Sequence, residues 1–119
     1  MTFSKDVTEN LKSTIEIKLV ELNCKKKNAS EDQINEINKQ MKEIENLNFI
    51  LLTDPDNFKN IDTYYKKLII ESFEERIIFT KILANTSIQL GSSYATEMIQ
   101  TVIDSLESTK AYMSDYFEM

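Results

Sequence analysis

Residues 56–85 read DNFKNIDTYYKKLIIESFEERIIFTKILAN: thirty positions with no glycine and no proline. Phe58, Ile61, Tyr65, Leu68, Ile69, Phe73, Ile77 and Leu83 recur at spacings that place them broadly on one side of a helix. Ile70, Ile78 and Phe79 widen that stripe. A helix that is apolar over more than one face contacts more than one neighbour, and this points to oligomerisation. The segment predicts a long third helix from about Asp56 to Asn85, in one piece or two.

Three further helices follow from the same reasoning. Val7, Leu11, Ile15, Leu19 and Leu22 share a face of a first helix, from about Ser4 to Lys26. Asn28-Ala29-Ser30 makes the turn, and Ser30 with Gln33 has the form of a capping box. A second helix runs from about Glu31 to Leu52. Its Ile34, Ile37, Met41, Ile44 and Leu51 follow an a/d pattern, and Asn48 is a polar residue in the seam that fixes register. Thr53-Asp54-Pro55-Asp56 is the clearest break, because Pro55 fits a first helical turn. Thr86 to Ser93, with Gly91, is read as a turn. The fourth helix runs from about Tyr94 to Phe117, with Met98, Ile99, Val102, Ile103, Leu106 and Met113 as its stripe. The expected fold is all-α: two antiparallel helical hairpins with coiled-coil-like packing. The expected domains are residues 1–53 and 54–119, the latter as oligomerisation core.

Composition narrows the function. The 119 residues hold one Gly and one Pro, too few for the turns of a β-sandwich. No histidine is present, which removes the usual general base, the commonest metal ligand and every Ser-His or Cys-His pair. A single cysteine, Cys24, permits no intrachain disulfide and suits a reducing cytoplasm. Zinc sites and glycine-rich phosphate loops are equally disfavoured. Glu74 and Glu75 are adjacent, so a helix points them about 100° apart rather than onto one substrate. No catalytic residue, metal ligand or cofactor site is expected, and the chain reads as a non-enzyme. No apolar run approaches the roughly 20 residues of a membrane span.

The net charge of −6 argues against a surface built to grip phosphates and favours a protein partner. Lys25, Lys26 and Lys27 form the one dense basic cluster. They are either a nucleic-acid contact or a solvated helix end favoured by the dipole. Arg76, the only arginine, has no carboxylate at the i±4 spacing of an ordinary ion pair: Glu74 and Glu75 are too near and Glu71 is five residues back. That leaves a structural partner farther away, or an intersubunit ion pair or phosphate contact. The candidate interface comprises Ile70, Phe73, Arg76, Ile77, Phe79, Met98 and Val102. Tyr64-Tyr65 and Tyr112, Tyr116 and Phe117 are aromatic clusters that serve as core or as interface.

Three elements stand out from about Phe58 to Met119: Ile69-Ile70-Glu71, Ala84-Asn85-Thr86-Ser87 and Ala95-Thr96-Glu97-Met98-Ile99-Gln100-Thr101-Val102-Ile103. In them this half resembles the central helical hairpin of T4-type phage small terminase subunits. Ser92-Ser93-Tyr94 stands where the family has Pro-Arg, and residues 1–52 have no counterpart in it. The resemblance implies a homo-oligomeric ring that helps select viral DNA and regulates a large motor subunit in the host cytoplasm, without catalysis of its own. A second reading from another class is a small acidic four-helix module that inhibits, adapts or chaperones one protein partner.

Overall fold

The computed structural model describes residues 3–119. Every regular element among them is helical, so the chain is all-α. Four helices, α1 Lys5–Lys25, α2 Glu31–Thr53, α3 Thr63–Gln89 and α4 Ser93–Tyr116, are joined by two 3-10 segments and one tight turn. The chain divides into two compact units, Met1–Lys66 and Lys67–Met119.

In the first unit each helix begins where its side chains satisfy the otherwise unpaired N–H groups of a first turn. Ser4 Oγ accepts from the Val7 N–H at 3.2 Å. Ser30 and Gln33 complete the expected capping box, with reciprocal bonds of 2.9 and 3.3 Å. α1 and α2 pack on one another. Their shared core holds Leu11, Thr14, Ile15 and Leu22 from α1 and Ile44, Leu47 and Leu51 from α2. Asn48 lies half-buried beside this core, and its Oδ1 is sealed from solvent without a hydrogen-bond partner.

The Pro55 break differs in two ways from the reading of the sequence. Pro55–Asn60 forms a 3-10 segment rather than the start of the third helix. Ile61 then adopts an extended conformation, and α3 starts only at Thr63. The segment also packs back onto α2. Phe58 is completely buried, with the Phe3 ring edge-on at 6.0 Å. Residues 55–60 therefore lie within the first compact unit, which runs to Lys66.

In the second unit α3 and α4 run antiparallel. Lys81 pairs with Glu107 at 3.1 Å and Glu74 with Lys110 at 3.2 Å, so sequence separation grows with distance from the turn. Ile69, Phe73, Ile77, Ala84 and Ser87 of α3 are buried, as are Ile103, Leu106, Thr109 and Met113 of α4 and Phe117 just beyond it. α3 continues to Gln89, past the expected turn start at Thr86. Gly91, with φ of 76°, sets the stopping point. The Ser92 N–H donates to the Ser87 carbonyl at 3.1 Å and the Gly91 N–H to the Ile88 carbonyl at 3.0 Å, the two bonds of a Schellman motif.

Candidate protein-interaction surface

The heptad-like spacing of the inner residues on α3 and α4 fixes what their neighbours do. A residue one position after an inner residue turns about 100° to one side, and a residue one position before turns as far to the other. Glu107 follows Leu106, Glu74 follows Phe73 and Lys81 follows half-buried Thr80. The two interhelical ion pairs gather these following residues on one face. The preceding residues of both helices consequently share the opposite face.

That opposite face is apolar toward the turn. On α3 it presents Phe79 and Leu83, with Leu90 just beyond its end. On α4 it presents Tyr94, Met98 and Val102. None is covered: Phe79 is 62% exposed, Tyr94 75% and Val102 47%. Farther from the turn the flank becomes polar, with half-buried Arg76 and Ser105 and buried Ser72. It ends in aromatic rings, where Tyr112 and Tyr116 stack at 6.3 Å and 14°. Monomeric soluble proteins rarely leave so large a contiguous apolar area open.

The candidate interface residues separate on this geometry. Phe79, Met98 and Val102 lie together on the open face. Phe73 and Ile77 are buried in the interior of the α3–α4 pair. Ile70 follows Ile69 and is half-buried on the ion-pair side. Arg76 precedes Ile77, so it borders the apolar face. Burial disfavours its charged form and lowers its pKa from the ordinary value, yet a guanidinium stays charged at any working pH. Leu83, Leu90 and Tyr94 belong to the face although the sequence reading placed none of them at an interface. The signal was present, since Tyr94, Met98 and Val102 are spaced by four and each precedes an inner position.

Lys25, Lys26 and Lys27 straddle the end of α1, the last two in the 3-10 segment Lys26–Asn28. Lys25 and Lys27 are exposed and Lys26 half-buried. Upstream, Lys18 is engaged with Glu21 at 3.6 Å. Among the described residues no three His, Cys, Asp or Glu side chains are grouped to hold a metal ion. No described helix is long and apolar enough to cross a membrane. Compared with known proteins, the chain matches no family model, no curated protein and no solved structure.

Proposed function

We propose that this chain is a non-enzymatic assembly subunit that acts by association of its second helix pair with further copies of itself. The observation that carries the reading is the open apolar face of α3 and α4, formed by Phe79, Leu83, Leu90, Tyr94, Met98 and Val102. Such a face loses its contact with water when a partner helix pair covers it, which is the main driving force of helical association. In this reading both units are coiled-coil-like hairpins, and the second supplies the assembly contact. The resemblance of residues 58–119 to T4-type small terminase subunits supports reading the assembly as one for viral DNA packaging, regulating a motor partner in the host cytoplasm. Lys25, Lys26 and Lys27 are then the candidate phosphate contacts.

The acidic balance, −6 overall, favours a second reading: a module that binds one unlike protein partner. Light scattering on the purified chain separates the two. A mass of several times 13.9 kDa is the expected result and justifies assays of DNA binding and motor regulation. A monomer at tens of micromolar removes the assembly reading and leaves the binding module.

A further inference from the structure

We infer that the open face of α3 and α4 docks against the same face of a second copy, as a two-fold contact centred on Leu83 and Val102. This rests on the self-assembly reading and adds which surface is used, what covers it and with what symmetry.

Area is the first support. The six apolar side chains near the turn leave on the order of 700 Å² exposed, close to the roughly 800 Å² that each partner brings to a standard interface. Charge is the second. In a two-fold contact the same patch lies on both sides, so a charge near the axis meets its like, and a patch of one sign repels itself. A chain of net charge −6 repels its own copies over much of its surface. The positions that precede inner residues from Phe79 to Leu90, and from Tyr94 to Ser105, carry no charge at all. Arg76 is the first charged residue met along the face, and it marks the edge of the contact. Layering is the third. The Lys81–Glu107 and Glu74–Lys110 pairs together bracket the level of Leu83 between Thr101 and Ser105 of α4, so Val102 lies within a turn of it and each copy offers an apolar layer there. Two antiparallel helix pairs meeting on such layers make a four-helix arrangement. Ile78 and Ile82 lie on the far side of α3 and stay uncovered in the pair. They are the route by which pairs join into anything larger.

The test uses the 119-residue chain and single-site variants of it. Leu83→Glu places a charge at the centre of the contact. It is expected to weaken association on the order of 100-fold while helical circular dichroism is retained. Leu83→Lys does the same. An equimolar mixture of the two is expected to restore the pair, since opposite charges then meet across the axis. Ile78→Glu, at 60% exposure on the ion-pair side of α3, is expected to leave the pair intact. If Leu83→Glu unfolds, Tyr94→Glu, at 75% exposure, replaces it. An assembly that survives Leu83→Glu, or that Ile78→Glu abolishes equally, or that the mixture fails to restore, overturns the two-fold contact and leaves self-assembly standing. A wild-type chain that is monomeric throughout overturns both.

Discussion

The two helix pairs share a plan and differ in one position. α2 and α4 each bury a stripe of apolar residues at spacings of three and four, behind a serine that caps the first turn. In α2 the residues just before the inner positions include Glu36, before Ile37, and Glu43, before Ile44. In α4 the corresponding residues are Met98, before Ile99, Val102, before Ile103, and Tyr112, before Met113. The first choice borders the seam with charge, and the second borders it with apolar side chains left to fill. Exposed apolar residues also occur in the first unit, at Val20, Phe49 and Leu52. The seam alone does not determine whether a helix pair is finished; its flanking position does.

The sharpest way to break this comparison is to empty each core in turn. Phe73→Ala removes a fully buried ring and is expected to cost about 3–5 kcal/mol, and Leu11→Ala about 2–5 kcal/mol. Urea titration followed by circular dichroism checks both. If the units unfold separately, each variant moves its own transition. One shared transition shifted by both variants shows a single cooperative fold instead.

A smaller effect sharpens the contrast inside the first unit. Asn48 Oδ1 is buried without a hydrogen-bond partner. Asn48→Leu is expected to stabilise the first unit by about 1 kcal/mol, by removing an unpaired acceptor. A loss of stability, or a change of mass in solution, shows instead that Asn48 sets the register of the seam. Smallest is the comparison of the two turns. Gly91→Ala is expected to cost about 1 kcal/mol, entirely from the positive φ, because an added Cβ meets nothing within 4 Å. Asn28→Ala, in a turn with no positive φ, is expected to change stability by less than about 0.5 kcal/mol.

Much of the helical content was legible in the sequence, because its signals are local. Ser30 with Gln33, and the three-and-four spacing of Leu11, Ile15, Leu19 and Leu22, place α1 and α2 to within a residue or two at each end. Errors fell where tertiary contact overrides local chemistry. Phe58 reads as a helical stripe residue, yet it anchors a 3-10 segment against Phe3, fifty-five positions away in the chain. Thr86 and Ser87 read as turn formers, yet they finish α3, because the Schellman bonds to Gly91 and Ser92 lie farther on. For the candidate surface, sequence separates apolar from polar but not inner from outer. Phe73 and Phe79 look alike in the chain; one has no exposed surface and the other is mostly open. Their places in the helix pair tell them apart, Phe73 turned to α4 and Phe79 beside that seam.

The turn between α3 and α4 has a consequence for how this chain tolerates change in length. Besides the two Schellman bonds, the Ser87 hydroxyl donates to the Ser92 carbonyl at 3.2 Å. The Thr96 hydroxyl reaches that carbonyl at 2.7 Å and lies 3.1 Å from Ser87 Oγ. These bonds clasp the end of α3 to the first turn of α4. Inserting one residue early in α4, between Thr96 and Met98, keeps the clasp but rotates everything after it by about 100°. Val102 and Tyr112 would then turn inward, and Ile103 and Met113 would turn toward the ion pairs. An insertion at Lys27–Ala29 has no such clasp to work against, since that connection is closed by a single 3.3 Å backbone bond. Among descendants of this sequence, length variation is therefore expected to collect in the first connection and to be purged from the second.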